Sequence, residues 1–484
     1  MYEEITAEIL NHLTVSQVDY GDVRIVSEKN EAITLSGNTP EEVRKGETLG
    51  FGVRVFKNGS WGFAASDIMN RRSAIETAQK ALKVAQASTI ASSGKDAYFP
   101  PEPVQDVYQT PFRKDPFDVS LEEKLELLLG CTEIMMKHKE IRIARAFYDS
   151  VRTEKYFAST TGAGIKQTIL RCGGGIEAFA VNDGEVQSRS YPNTFRGNFA
   201  TAGWEFIEGL DLAGNAEWTA EEAIMLLKAP LCPSSDTADL IIAPDQLTLQ
   251  IHESIGHPIE LDRIFGQEAG LAGKSFLSPE MLENFQYASP IVNVVADAQA
   301  PGGLGTFGYD DEGVPAQRFH IIKEGVLQDF LTSCGTAHLL PGQPRSNGCC
   351  RAMSWSNIPL IRMTNINLEP GEWDFNDLIQ DTEKGFLIET NKSWSIDDKR
   401  LNFQFGVEAA REIKNGKIGR LFKNPVYTGI TPKFWKSCDA VCSADWWQFY
   451  GTPNCGKGEP IQAMHVGHGA PPARFRNVKI GAAS

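Results

Sequence analysis

At 484 residues the chain is too long for one ordinary core, so two or three domains are expected. Its hydrophobic content of 42% and charged content of 23% are those of a soluble globular protein, and it contains no apolar run long enough to span a membrane as a helix. A net charge of −15 argues against the phosphate backbone of duplex nucleic acid as a main partner.

The start, Met1-Tyr2-Glu3-Glu4, is acidic and has no apolar stretch, so it does not read as a signal peptide. Nine Cys, an odd number scattered over the chain, do not make a disulfide framework. They suit a reducing compartment, here the cytoplasm, with each Cys buried or used on metal. Residues 4–13 predict a helix, residues 20–29, 31–36, 47–57 and 60–65 predict strands, and Asn58-Gly59 is a hairpin signal. An Ala-rich amphipathic helix is expected over 71–88. Together these define an N-terminal α+β unit, 1–92. A connector over 93–118 is marked by Ser92-Ser93-Gly94 at its start and by Pro100, Pro101, Pro103, Pro111 and Pro116.

A central α+β unit follows, 119–235. Ser120 is placed to cap a helix over 121–137, with Glu122 and Glu123 in its first turn. Strands are expected at 141–150, 151–159, 164–170 and 175–182, with turns at Gly162 and Asp183-Gly184, then helical stretches within 205–229. From 236 to 484 the pattern becomes β-rich. A short buried strand, 240–243, leads to Pro244, which is tolerated in the first turn of a helix. Short strands are expected at 291–296, 318–323 and 326–331. The fold class is therefore α+β, with two α+β lobes before a β-rich C-terminal domain.

The helix opened by Pro244 carries His252-Glu253-Ser254-Ile255-Gly256-His257. Two neutral imidazoles are good zinc ligands, and a Glu between them that does not bind metal is the usual arrangement for activating a zinc-bound water. The spacing is one residue longer than H-E-x-x-H. At i and i+5 the two rings diverge by roughly 140° on a regular helix. Convergence needs either a looser, π-like turn or an end to the helix before the second His. The sequence favours the second route, because Gly256 weakens the helix and Pro258 disfavours the α region for His257.

A catalytic zinc usually has three protein ligands. Beyond His252 and His257 the candidates are His320, His338, His465, His468 and the nine Cys. Cys455 lies in the Gly-rich turn Pro453-Asn454-Cys455-Gly456-Lys457-Gly458, but local spacing alone does not select it.

Four segments, in order, resemble the TldD/PmbA family of metalloproteases. They are the 252–257 hexapeptide, Tyr309-Asp310-Asp311-Glu312-Gly313-Val314-Pro315-Ala316-Gln317, Arg362-Met363-Thr364-Asn365, and Cys455-Gly456-Lys457. The resemblance covers most of the chain and is to the TldD-type, zinc-containing subunit. It implies Zn2+ held by His252, His257 and Cys455, with Glu253 as general base. It also implies unfolded or extended peptide substrates bound by strand addition, and a dimer, either of identical chains or with a PmbA-like subunit. Two stretches depart from the bacterial pattern: residues 391–403, where a Gly-rich run is expected, and the enlarged region around Ser443-Ala444-Asp445-Trp446-Trp447.

Other constellations have plainer readings. Cys438 and Cys442 with His465 and His468 fit a structural zinc loosely; His465 and His468 are equally placed to line an active-site mouth. Cys349-Cys350 reads as buried small residues. The run 302–308, rich in Gly, lacks the ending of a phosphate loop and reads as close backbone approach. Asp310-Asp311-Glu312 reads as a solvated turn, partners for Arg318, or a functional acid cluster. The leading function is a zinc peptidase. The alternatives are a non-catalytic zinc-containing scaffold subunit and a metal-dependent amidohydrolase acting on small molecules. No membrane and no direct nucleic-acid contact are expected.

Overall fold

Alternating apolar residues with occasional breaks suggest short strands, but several of these breaks vanish in the computed structural model, which describes residues 2–91, 96–268, 270, 273–342 and 345–482. Ser92, Ser93 and Gly94 at the start of the expected connector lie outside the described residues. After α1 (Tyr2–Val15) come β1 (Tyr20–Ser36), β2 (Thr39–Lys57), β3 (Ser60–Ser66) and α2 (Arg71–Ala91). Then follow β4 (Gln105–Gln109), α3 (Leu121–Met135), β5 (Ile141–Ser159), β6 (Gly164–Asn182), β7 (Glu185–Tyr191) and β8 (Asn198–Ala200). They build one sheet in the order β3-β2-β1-β5-β6-β4, with β7 and β8 also pairing β6.

The strands expected as 20–29 and 31–36 are one strand because β1 is paired on both sides, with β2 and with β5. Its ladder with β5 runs from Asp22 opposite Ser159 to Ser36 opposite Arg145, so the first and central units share a single sheet. β6 likewise runs through Gly173-Gly174-Gly175. A Cβ at Gly173 would lie 2.2 Å from the Phe199 ring, and one at Gly175 would lie 2.4 Å from the Gly197 Cα. These glycines mark where another stretch of chain crosses closely, not a turn. α3 starts as expected, with the Ser120 hydroxyl accepting the Glu123 N–H at 3.0 Å. The helical stretch after 204 breaks into α4 (Trp204–Leu210) and α5 (Leu212–Lys228) at Asp211, whose φ is 47°. The helices cover two separate cores, one around Ile9, Val23, Phe51 and Val53, the other around Leu128, Tyr148, Ile176 and Trp204.

The remainder begins with β9 (Ser235–Ile242) and α6 (Pro244–Ile251). β10 (Val294–Asp297), β11 (Arg318–Lys323) and β12 (Val326–Leu327) form a small sheet. β13 (Cys350–Arg351) pairs β14 (Leu360–Ile361), and β15 (Ile366–Leu368) joins β10. Then come β16 (Lys384–Ile396), β17 (Asn402–Lys414), β18 (Lys417–Lys423), β19 (Pro425–Ile430) and β20 (Cys438–Val441). The last three are β21 (Gln448–Lys457), β22 (Gln462–Ala470) and β23 (Ala473–Ala482). The order β16-β9-β23-β19-β17 closes on itself because β16 also pairs β17, so these five strands form a barrel. Leu240, Ile242, Phe405, Tyr427 and Phe475 from it belong to the largest core. The wholly buried α6 packs against β16 of the barrel and against the β21–β22 hairpin. The fold is thus α+β with a β-rich C-terminal region.

The acid triplet 310–312 is neither a solvated turn nor a partner of Arg318. All three residues are buried. Asp311 accepts from Lys155 Nζ at 3.0 Å, and Glu312 pairs with Arg54 at 3.2 Å. Arg318 pairs with Glu369 and Asp297 instead. The triplet clamps the C-terminal region onto the large sheet. The 302–308 run does approach backbone, but its own: a Cβ at Gly305 would lie 2.3 Å from Thr364 O.

Candidate metal centre

The chain takes the first of the two routes to convergence, correcting the expectation for His257. α6 passes directly into a π turn over His252–Gly256, in which the His257 N–H donates to His252 O at 3.1 Å. His257 stays helical, with φ −69° and ψ −40°, despite Pro258. The surroundings account for this. In a continuing α-helix Ser254 O would accept from residue 258, but Pro258 has no N–H. The Tyr287 hydroxyl donates to Ser254 O in its place. The Ser254 hydroxyl donates to Gln250 O and accepts from Trp435 Nε1 at 2.9 Å. Gly256 is required because a Cβ there would lie 2.1 Å from Met363 Sδ.

The turn brings the ligand atoms of His252 and His257 together with that of Cys455; all lie within 4.8 Å of one another and all three residues are buried. Cys455 arrives on β21, where the register with β22 slips between Thr452 and Cys455. Such a bulge re-aims a side chain. Among the described residues, no other group of three or more His, Cys, Asp and Glu has metal-holding geometry.

Neighbouring groups fix which nitrogen of each ring is available. His468 Nδ1 faces Ile366 O at 3.1 Å, which requires a proton there and makes His468 Nε2 an acceptor. That atom faces His252 Nδ1 at 2.8 Å, so His252 carries its proton on Nδ1 and leaves Nε2 bare. His257 Nδ1 faces Glu260 Oε2 at 3.0 Å, leaving its Nε2 bare as well, 3.7 Å from Cys455 Sγ. Burial pushes His252 down to about 4 and lowers His257, so both rings stay neutral. Burial raises the Cys455 thiol, but nearby positive charge, that of Arg362 included, outweighs it and the net direction is down. Two bare imidazole nitrogens and a thiol biased toward its anion are a donor set that suits Zn2+.

Behind these three residues lies a buried charge cluster. Glu260, fully buried, accepts from Arg263 Nε at 2.7 Å and pairs with Lys457 Nζ at 3.3 Å. Burial raises its pKa, yet Lys457 and Arg263 hold it well below the usual carboxylate range. Lys457 also donates to Asp262 at 2.7 Å and to Ile361 O at 2.7 Å. Arg362 donates to the backbone carbonyls of Cys455 and Gln462. Three of the four motif segments, 252–257, 362–365 and 455–457, therefore meet around one site.

Glu253 opens on the same cleft, of about 380 Å³, lined also by Trp394, Ile396, Arg400, Thr452 and Asn454. The carboxylate of Glu253 accepts from Arg400, a buried residue held at φ 62°. Sequence reasoning missed Arg400, although it lies in the divergent stretch 391–403. Two strand edges flank the cleft. Among the described residues β16 pairs β9 only over residues 385–388, so its end at Trp394–Ile396 is paired on one side, with β17, and β21 pairs only β22. The other candidates lie elsewhere. His320 pairs with Glu369, His338 packs on Phe99, and Cys438 and Cys442 are buried apart from His465 and His468. The region 443–447 packs through Trp447, whose Nε1 donates to Leu368 O at 3.0 Å. Cys349 and Cys350 are buried, as expected.

The fold and this site define an α+β protein whose C-terminal region, built on a closed barrel, carries a buried His-His-Cys cluster. Three family models match in order: PmbA/TldA metallopeptidase domain 1 over 21–85, the central domain over 114–230 and the C-terminal domain over 235–482. The chain belongs to the PmbA/TldA metallopeptidase family. A metalloprotease of Methanocaldococcus jannaschii is 30% identical over 425 residues, spanning 87% of this chain and 89% of the relative. A zinc metalloprotease TldD homolog of Saccharolobus solfataricus is 27% identical over 252 residues, 51% of this chain and 52% of its own. The fold is also that of TldE from Thermococcus kodakarensis, with a TM-score of 0.71 at 17% identity, covering 99% of this chain and 100% of that one. No helix among the described residues is long and apolar enough to cross a membrane.

Proposed function

We propose that the protein is a zinc-dependent peptidase acting on unfolded or extended peptides, with His252, His257 and Cys455 as metal ligands and Glu253 as general base. The observation that carries the reading is the convergence of two neutral rings with bare Nε2 atoms, a thiol biased toward its anion, and a carboxylate in one cleft. Zinc, when bound, supplies a Lewis acid that polarises a carbonyl and makes water more acidic. His468 and Glu260 hold the proton on Nδ1 of each ligand ring and so fix the rings' orientation. Glu253 takes a proton from water on its carboxylate and delivers it to the leaving amine. Arg400 orients that carboxylate. The one-sided edges at 394–396 and on β21 favour an extended peptide that adds as a strand, over a small amide.

A non-catalytic scaffold has no need of a carboxylate facing the cleft. The units read as 1–92, a connector 93–118, 119–235 and a metal-bearing domain 236–484. Nine free, buried cysteines support a reducing, cytoplasmic setting.

Purified protein should carry about one zinc per chain, as a three-ligand catalytic site implies. Metal analysis should show that zinc is lost from His252→Ala, His257→Ala and Cys455→Ala and kept by Cys438→Ala. Zinc retained by Cys455→Ala would sink the ligand assignment, and cleavage of small amides with no cleavage of peptides would replace the peptidase reading. Sedimentation should show a dimer, either of this chain or with a PmbA-like partner; a fully active monomer at working concentration would rule that out.

A further inference from the structure

Beside the metal cleft lies a second chamber of about 270 Å³, walled by Asp149, Arg171, Arg196, His465 and Asn454. Phe195 and Asn454 line both cavities, so the two adjoin directly. Arg171 comes from the middle of β6, opposite Val151 on β5. It is 7% exposed, and no carboxylate oxygen lies within 4.0 Å of it among the described residues. Its Nη1 has a single long hydrogen bond, 3.3 Å to Thr153 Oγ1, and its Nε has no partner. Burying a guanidinium without an anion is costly, and protein interiors normally avoid it.

The electrostatic surroundings do not supply the missing anion. Arg196 is matched by Asp149 at 3.7 Å. Lys155 is matched by Asp311. Glu28 and Asp311 act on Arg171 only from beyond ion-pair distance. Arg351, which bonds His465 O at 3.1 Å, adds further positive charge behind the His465 ring. The chamber therefore has a planar fork of donors and surplus positive charge, and it shares Phe195 and Asn454 with the cleft where the peptide would lie.

We propose that this chamber is a carboxylate subsite: Arg171 receives an acidic group of the bound peptide, either an Asp or Glu side chain or a free C-terminus. The proposal rests on the peptidase reading for its substrate class. The guanidinium fork matches a carboxylate bidentately. Occupancy of this subsite would fix the register of an extended chain whose other contacts are main-chain hydrogen bonds without sequence preference.

The test uses fluorescent peptides in matched pairs, with Glu against Gln at each position in turn and a free C-terminal acid against the amide. Equilibrium binding by anisotropy and cleavage by kcat and KM are read on the zinc-loaded protein. Wild type should prefer the carboxylate form by about 10- to 100-fold, the usual value of a charge-assisted hydrogen bond, chiefly in Kd and KM. A preference confined to the acid-amide pair assigns the C-terminus; one that follows a Glu position assigns a side chain. Arg171→Met should bring the ratio to near one, and Arg171→Lys should keep part of it, which also reads the site if the Met variant does not fold. Equal binding of both members of every pair by wild type, or an unchanged ratio in a folded Arg171 variant, overturns the proposal. Carboxylate-selective binding with no cleavage of any peptide leaves the subsite standing and removes the peptidase reading.

Discussion

Replacing Glu253 by Gln should slow peptide cleavage by about 10² to 10⁴-fold, the usual contribution of general acid–base catalysis, while zinc content stays at the wild-type level. Gln has the same shape and can still accept the hydrogen bond from Arg400, but it cannot take a proton from water. Because Glu253 and Arg400 are buried together, the substitution also weakens an ion pair. A fall in melting temperature is expected, smaller than that of Glu253→Ala, which removes the acceptor altogether. Peptide binding should survive. Zinc loss in Glu253→Gln would make Glu253 a ligand, and unchanged cleavage would place the chemistry elsewhere or make the zinc structural.

Lys457→Met should be among the most destabilising single changes in the metal domain. Lys457 is fully buried and is shared by Glu260 and Asp262. Without it two buried carboxylates retain Arg263 as their nearest cation, and breaking such a cluster costs about 3–5 kcal/mol. Glu260 is also the group that sets the proton on His257, so disturbing it should lower zinc affinity by about 10- to 100-fold. Urea unfolding and competitive zinc titration check the two effects separately. Wild-type values in both would mean that the cluster is decorative. The double variant Lys457→Met with Asp262→Asn should recover part of the stability, because it removes one of the stranded charges.

What was readable in the sequence, and what was not, follows from the range of the interactions. Residues 318–323 form a strand as expected, and α3 begins at the predicted Ser120 cap, because local alternation and a local hydrogen bond decide both. β1, β5 and β6 are longer than expected, because pairing on both sides overrides local weak points that a one-dimensional pattern treats as breaks. The hexapeptide 252–257 announced two candidate ligands and the question of how they converge. It could not announce the answer, which depends on Tyr287, Trp435 and Met363. His468 was noted near the site, but its partnership with His252 spans 216 residues of chain. Arg400 carried no signal, since its role exists only through a contact 147 residues away. The acid triplet was misjudged for the same reason: its cations, Arg24, Arg54 and Lys155, belong to the large sheet.

The sheet shared by the first two units has a consequence for how the polypeptide can be made. As the chain emerges from the ribosome, β1 can pair at once with β2, but its other edge, residues 22–36, waits for residues 145–159 of β5. During synthesis that edge is an exposed template for strands of other nascent chains. A fragment ending near residue 92 would keep the same edge open permanently. Expressed alone it should aggregate or recruit a foreign strand, whereas a fragment continuing through β8 closes its own sheet.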